Sequence, residues 1–505
     1  MGGLQAKVTK GAIWATLEKF VLQVVQFVVG MVLARLLTPN DYGTVALLSL
    51  FFAIAGSLAT CGFGNALVQK KDVSELEFNS VFYISIAISV VIYGVFFFAA
   101  PWIARFYKVS VLCPVVRVSA LSFIFNAVNS VQGAELSRKM LFDRRFKISL
   151  ITCAVSSVCG ITFAYWGWGV WALVISALLT SIASVMAYWF IIAWRPRLQF
   201  SFMSLKGLFS YGWKMSVAGL VHTTYANLSG FLIGKFYSPA DLAFVNKGRS
   251  MPNLLMSTVD GTINSVSFPA LAQLQDQKIK VRDGMRRMIQ CSTYLVFPLL
   301  AGLCICARPI IVLLYGDKWV EAIPYVMVAC FTFSLLPFHT INTNAISAIG
   351  RSDIFLLLDC IKKTLGLIVI VVSLRYSVMT FMLSVAFIQS PFAVFVNTFA
   401  NGRLLGYNLI MQLCDVAPSA LLTAFMSAAV IITRLLTRSL LKAIPYETVA
   451  LAIDLIMSAS VGAAVYIGLS LKFKPRPVLE YFNMTLPVLR LKLPRIARLL
   501  ERVVA

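Results

Sequence analysis

Charged residues make up only 13% of this 505-residue chain. An ordinary soluble domain carries about 25%, so a soluble enzyme with a solvated surface is excluded. Acid is scarcer still, with 20 Asp and Glu against 44 Lys and Arg, and there are just two histidines, His222 and His339. That leaves no ligand set for a histidine-rich metal site. The ten cysteines contain no CxxC pair. They lie mostly in apolar stretches, where free thiols act as small hydrophobes, not as a disulfide or metal framework. GxSxG, Walker and HExxH patterns are all missing, as is an acidic cluster for a metal. No catalytic constellation, metal or cofactor is therefore expected, and no polar stretch is long enough for a folded extramembrane domain.

What the chain has instead is oil. Hydrophobic residues reach 59% and mean hydropathy is +0.85. Apolar runs of 18 or more residues, each able to cross a hydrocarbon core of roughly 30 Å, recur along the whole length. They predict an all-α polytopic membrane protein of about 14 transmembrane helices. The expected spans are 11–36, 43–67, 79–104, 110–134, 146–166, 168–194, 206–236, 241–270, 287–315, 319–348, 352–375, 377–400, 409–433 and 446–472. The basic start, MGGLQAKVTKGAIW, runs into the first span without a small-residue cleavage site, and reads as a retained helix.

A net charge of +24 raises the question of nucleic acid. The basic residues, however, sit in short connections between spans, where they set topology and touch anionic headgroups, so a membrane surface is the expected partner. The N-terminus, even-numbered loops and tail hold about 27 Lys and Arg against about 10 in the odd-numbered loops, which predicts cytoplasmic termini. The connections 135–147 and 275–287 are the strongest cytoplasmic markers.

The chain also repeats. GMVLARLLTPND (30–41) aligns without gaps onto GFLIGKFYSPAD (230–241), matching Gly30 to Gly230, Arg35 to Lys235, Pro39 to Pro239 and Asp41 to Asp241. The period covers about six spans, an even number, so both copies enter the membrane in the same direction, as in transporters built from parallel repeats. This divides the chain into a six-helix lobe at 1–200, a second at 201–405, two additional helices at 406–472 and a basic tail at 473–505. Within the tail, Ile496, Leu499, Leu500 and Val503 follow helical spacing opposite Arg495, Arg498 and Arg502. That pattern suits a helix resting on an anionic leaflet, and equally a frayed end.

Ionisable groups inside spans carry the functional information, because each is costly unless it faces water or a partner. Glu18, Lys19, Gln23 and Gln26 cluster in the first span, either lining a cavity or forming a polar seam with a neighbouring helix. Lys214 and His222 are eight residues apart on the seventh span and share a face. His222 reads as a working group or a packing group. Lys247 and Arg249 fall in the eighth span where the first lobe has Leu47 and Ser49, an asymmetry that favours a ligand role. Asp260 is expected near the cytoplasmic boundary as an interfacial cap. Asp359, Lys362 and Lys363 stand at i, i+3 and i+4, so they neutralise one another or leave one spare cation. Arg117 is a weaker candidate of the same sign. Mid-span prolines (Pro114, Pro252, Pro298, Pro337, Pro391 and Pro418) each permit a kink.

The segments LARLLTPNDYG (33–43), GFGNALVQKKD (62–72), GWGVWALVIS (167–176), FPALAQLQD (268–276) and LLYGDKWVEAIP (313–324) resemble those of bacterial polysaccharide flippases. The likeness is to lipopolysaccharide and exopolysaccharide export proteins of the colanic-acid exporter type, within the multidrug/oligosaccharidyl-lipid/polysaccharide exporter superfamily, and it covers about residues 8–410. The resemblance implies two six-helix lobes in a V around a cationic cavity, plus two C-terminal helices. It implies a flippase that moves a polyprenyl-diphosphate-linked oligosaccharide (a capsule, O-antigen or exopolysaccharide repeat unit) from the inner to the outer leaflet of the cytoplasmic membrane by alternating access. Polymerase machinery would take the product.

Lipid II flippases, more distant relatives, carry an arginine in the eighth span shortly before a proline, and Arg249 stands three residues before Pro252. They also carry a charged pair in the first span, which Glu18-Lys19 resembles with the order of charges reversed. Lys19, Lys214, Lys247 and Arg249 are thus the expected diphosphate ligands. Glu18, His222, Asp260 and Asp359 are expected in coupling or gating, and Gln23, Gln26, Arg117, Lys362 and Lys363 as lesser cavity groups. A cation-coupled exporter of drugs or metabolites shares the superfamily fold but typically needs acids in a lobe, and Glu18 is the clear one in the first. A membrane-embedded glycan polymerase or ligase needs a long periplasmic loop, and no two spans are separated by one.

Overall fold

The computed structural model describes residues 2–442 and 446–480. The amphipathic pattern at 495–503 lies outside them. Among the described residues, eleven helices are long and apolar enough to cross a membrane. Three further long helices, Phe202–Phe236, Pro239–Ala272 and Ser352–Ser373, bring the number to the fourteen expected spans. These three carry Lys214, Lys247, Arg249, Asp260, Asp359, Lys362 and Lys363. The protein is an all-α, multi-pass membrane protein.

The chain divides into two compact units, Met1–Ala243 and Phe244–Ala505. The first contains α1 (Gly2–Leu36), α2 (Pro39–Ala46), α3 (Ser49–Thr60), α4 (Phe63–Gln69), α5 (Glu75–Tyr107), α6 (Leu112–Ala120), α7 (Ser122–Arg138), α8 (Phe142–Tyr165), α9 (Val170–Ile191) and α10 (Phe202–Phe236). Helix starts follow local chemistry. At α2, Thr38 and Asp41 form a capping box: the Thr38 hydroxyl accepts from the Asp41 N–H at 3.3 Å, and the Asp41 carboxylate accepts from the Thr38 N–H at 2.9 Å. The aligned turn 200 residues later is built alike, with Ser238 and Asp241 at 3.1 and 3.0 Å. The motif TPND/SPAD is thus the same physical device twice, each with a proline at the first helical position. Ser74 and Glu77 cap α5 in the same way.

α11 (Pro239–Ala272) carries the chain from the first unit into the second, followed by α12 (Lys278–Ile305), α13 (Ala307–Tyr315), a 3-10 turn (Asp317–Ala322), α14 (Ile323–Ser334) and α15 (Leu336–Ala348). Next come α16 (Ser352–Ser373), α17 (Val378–Ser384), a π turn (Val385–Gln389), α18 (Ser390–Leu405), α19 (Leu409–Lys442) and α20 (Glu447–Phe473). The expected span 287–315 is two helices. α12 ends at Ile305, because Pro309 has no N–H to donate to the Ile305 carbonyl and its ring would clash there. α12 also begins nine residues early, so most of the basic connection 275–287 is helix, and 135–147 likewise narrows to residues 139–141.

Of the prolines expected to kink spans, Pro252, Pro298 and Pro418 lie within continuous helices. Pro337 and Pro391 sit in first turns and Pro114 at the third residue of α6, where a missing N–H leaves no gap in the ladder. The π turn immediately before Pro391 absorbs its ring. In the second unit, Leu271, Met285, Ile289, Phe338, Ile341 and Tyr407 form a buried core; in the first, Phe98 and Phe190 are exposed, as lipid-facing side chains are. All ten cysteines are free, but only Cys306 and Cys330 are fully buried, and Cys360 and Cys414 are exposed.

Candidate functional site

In the first unit, the Glu18 carboxylate accepts a hydrogen bond from the Ser149 hydroxyl at 2.6 Å and lies 3.7 Å from the Arg145 guanidinium. This ties α1 to the start of α8. The next residue, Lys19, is exposed. One and two turns on, Gln23 is half-buried and Gln26 lines a cavity of about 350 Å³ with Tyr42, Ser149, Thr152, Ser156 and Thr180. The first-span cluster is therefore both things at once: Glu18 is a seam between helices, and Gln26 faces a hydroxyl-lined space. Arg117 is engaged by α5, donating to the Phe97 carbonyl at 3.3 Å with its guanidinium 4.4 Å from the Phe97 ring. Lys214 and His222 are both exposed on α10.

In the second unit, α11 presents Lys247 and Arg249 on either side of Gly248. A Cβ at Gly248 would stand 2.6 Å from Cβ of Tyr325, so only glycine lets α11 press against α14 there. The Lys247 ammonium lies 4.1 Å from the ring centre of Tyr315 and 5.4 Å from that of Trp319, a half-buried aromatic seat. Arg249 is exposed and makes no ion pair among the described residues, three residues before a buried Pro252.

Asp260 sits inside α11, far from either end, and caps nothing. It accepts from the Thr340 hydroxyl at 2.5 Å and from Asn264 at 3.0 Å. Asn344 extends this ladder by donating to Asn264 and to Ser267, so α11 and α15 are joined by side-chain hydrogen bonds. On α16, Asp359 and Lys363 pair at 2.8 Å, leaving Lys362 as the spare cation. Lys362 is buried and donates to the Asn397 Oδ1 at 3.2 Å, and the Asn397 amide nitrogen lies 3.0 Å from the His339 Nδ1. The described structure thus sorts the candidates. Glu18, Arg117, Asp260, Asp359, Lys362 and Lys363 are held by neighbouring groups, whereas Lys19, Lys214, His222 and Arg249 are exposed.

Sequence reasoning passed over the acids of the last two helices. Asp415 on α19 takes Arg286 of α12 at 2.5 Å, Gln290 at 3.0 Å and the Tyr407 hydroxyl at 2.9 Å. Burial, followed by the hydrogen bond to this carboxylate, pushes the Tyr407 phenol above its ordinary range. Asp454 on α20 pairs with Arg434 at 2.9 Å. A lone aspartate in an otherwise apolar run was the available signal for both.

Fourteen helical segments of membrane-spanning length, several of them broken into shorter helices, with paired charges between neighbours and exposed cations on α10 and α11, make a polytopic membrane scaffold. The chain belongs to the "Polysaccharide biosynthesis protein" family, which it matches over residues 32–324. Similar curated proteins include the teichuronic acid biosynthesis protein TuaB of Bacillus subtilis, 24% identical over 70% of this chain and 74% of its own. The lipopolysaccharide biosynthesis protein WzxC of Escherichia coli is 21% identical over 73% and 75%. The succinoglycan biosynthesis transport protein ExoT of Rhizobium meliloti is 24% identical over 63% and 64%.

Among solved structures, the lipid II flippase MurJ in an inward closed conformation superposes with a TM-score of 0.71 at 13% identity, covering 91% of this chain and 98% of that one. A multidrug resistance MATE family transporter of the MOP superfamily in an inward-facing conformation gives 0.57 at 13% identity, covering 78% and 97%. The fold is that of this superfamily.

Proposed function

We propose that this protein is a flippase for a polyprenyl-diphosphate-linked oligosaccharide, carrying a polysaccharide repeat unit from the inner to the outer leaflet of a bacterial cytoplasmic membrane by alternating access. The observation that carries the reading is Arg249: an exposed guanidinium within an expected span, without an ion pair among the described residues. A cation kept at membrane depth without an acid is costly unless it meets water or an anionic ligand. A diphosphate carries about two negative charges and cannot cross hydrocarbon bare, so such a cation replaces part of its hydration. Guanidinium is the suited group, because its planar fork bonds two phosphate oxygens at once. Lys247, Lys214 and Lys19 are the further cations that the reading enlists.

Membership of a polysaccharide biosynthesis family and relatives named for polysaccharide production and transport support the substrate class. On this reading the protein binds and moves its lipid and catalyses no covalent step. Both termini lie in the cytoplasm, as the distribution of basic residues suggests, and a polymerase on the far side takes the product.

Proteoliposomes containing a polyprenyl-diphosphate oligosaccharide test the proposal. The purified protein should render internal substrate accessible to an impermeant glycosidase, and protein-free vesicles should not. Equal protection of the substrate in both preparations overturns the reading.

A further inference from the structure

The second unit holds a groove that no part of the transport argument uses. Its wall lies in the first half of α19, its floor is the Arg286–Gln290 turn of α12, and its rim is the segment Phe473–Pro477 at the end of α20. The space is about 640 Å³, and a smaller one of about 310 Å³ adjoins it, sharing Arg286, Gln290 and Arg476. At Lys474 the backbone turns left-handed, with φ of 44°, which ends α20 and swings Lys474 and Arg476 back over the groove between Pro475 and Pro477.

The lining is divided in character. One end of the larger space holds Arg286, Lys474 and Arg476 against one acid, Asp415, and the adjoining space adds Asp283 and the pair Arg287–Glu480 at 3.7 Å. Arg286 is already committed to Asp415 at 2.5 Å, whereas Lys474 and Arg476 have no ion pair among the described residues. The other end is apolar and open: Leu421, Phe425 and Phe473 are 60%, 59% and 64% exposed. From Asp415 to Phe425 the helix climbs about 15 Å, so the charged end lies near the helix terminus and the apolar wall runs inward along the span.

From this geometry we infer that the groove is a binding site for an anionic glycerophospholipid, distinct from the transported lipid. The phosphodiester sits on Lys474 and Arg476, and an acyl chain lies along Leu421 and Phe425. Charge complementarity selects the occupant. Two unneutralised cations at a span terminus, beside an exposed apolar wall, match an amphiphile with a negative head and a hydrocarbon tail. A free anion leaves the apolar wall uncovered, and a neutral lipid leaves the two cations unanswered. A bound lipid of this kind bridges α12, α19 and the segment after α20, fastening the last two helices to the unit.

Native mass spectrometry of the full chain, released from micelles containing phosphatidylglycerol and phosphatidylcholine in equal amounts, tests the inference. The wild type should retain one phosphatidylglycerol under activation that strips phosphatidylcholine. Lys474→Ala with Arg476→Ala should lower that occupancy about tenfold or more, since each basic group near a headgroup contributes about 1 kcal/mol. Lys474→Arg with Arg476→Lys should keep it. Leu421→Arg, at an exposed position, should expel the lipid by obstructing the wall while both cations remain. The inference is overturned if the double alanine variant or Leu421→Arg holds phosphatidylglycerol at wild-type occupancy, if phosphatidylcholine is retained equally, or if the retained lipid is a polyprenyl diphosphate that phosphatidylglycerol does not displace. These outcomes are independent of transport, which the proteoliposome assay reads separately.

Discussion

The carbonyl oxygen of Pro239 lies 1.8 Å from the point where a Cβ on Gly43 would stand. Gly43 belongs to the first copy of the repeated turn and Pro239 to the second, so the two capping-box turns press backbone against backbone. Gly62 and Gly212 make a similar approach, with the Gly212 carbonyl oxygen 2.3 Å from the equivalent point on Gly62. The α2–α4 segment is thus met at two distant places, by the first residue of α11 at Gly43 and by α10 at Gly62.

Gly43→Ala should therefore be poorly tolerated, although alanine ordinarily favours a helix over glycine. The colliding atom is backbone and cannot rotate away, so the turns must separate, with an expected loss of about 1–3 kcal/mol. Thermal unfolding of the purified protein should show a midpoint lowered by several degrees. Gly30→Ala, where nothing stands within 4 Å of the added carbon, should leave it unchanged or slightly raised. Equal midpoints for the two variants would contradict the contact.

The latch between α12 and α19 makes a second prediction. Asp415 is buried and receives Arg286, Gln290 and Tyr407. Asp415→Ala leaves three donors without their acceptor and should lower stability by about 3 kcal/mol. Arg286→Ala should do less, about 1 kcal/mol, because its side chain is nearly half exposed and two donors to the carboxylate survive. Unfolding midpoints that rank Arg286→Ala below Asp415→Ala would refute this apportionment.

A pH dependence follows from Tyr407. Burial and the Asp415 acceptor favour the neutral phenol in the folded protein, so its titration is raised above that of the unfolded chain. The contribution is then fully present below about pH 10, the ordinary tyrosine value, and is lost as pH rises through the higher folded value. The stability advantage of the wild type over Tyr407→Phe should be constant from pH 7 to about 10 and shrink above it. A difference that grows with alkalinity would reverse the sign and contradict the assignment.

Lys362 and Asn397 offer a contrast between removing a buried cation and removing the amide that answers it, an amide that also lies against the His339 Nδ1 and donates to the Thr343 hydroxyl. Asn397→Leu strands a buried ammonium and should cost about 3 kcal/mol, whereas Lys362→Met removes charge and bond together and should be milder. Midpoints for the two variants check this, and a larger loss for Lys362→Met would place the stabilisation elsewhere.

How far these features could be read in advance depends on their range. The fourteen spans follow from hydropathy, because a hydrocarbon core demands about 20 apolar residues whatever surrounds them. The capping boxes at Thr38 and Ser238 are equally local: a hydroxyl and a carboxylate three residues apart suffice. The break at Cys306 is marked by Pro309, but both sides of it are apolar and Pro298 and Pro418 lie inside continuous helices, so a proline alone does not show where a long span divides. The fates of the intramembrane charges were hidden for a different reason. Asp260 meets Thr340, and Lys362 meets Asn397, across 80 and 35 residues of chain. Spacing along one helix shows which groups share a face but not which neighbour answers them, so Asp260 had the look of an interfacial cap. For Asp359 and Lys363 the partner is local, and the i, i+4 spacing announced their ion pair.

On the proposed function, Arg249 receives the diphosphate of a lipid-linked oligosaccharide. The most direct test is isothermal titration of a short-chain polyprenyl-diphosphate disaccharide into the purified protein, its Arg249→Ala variant and its Arg249→Lys variant. All three should unfold at the same midpoint, because Arg249 is exposed and takes part in no ion pair among the described residues. Arg249→Ala should raise Kd at least about tenfold, and Arg249→Lys should fall between, since an ammonium keeps the charge but loses the two-pronged fork. An unchanged Kd for Arg249→Ala, in a variant that folds as the wild type does, would contradict the account.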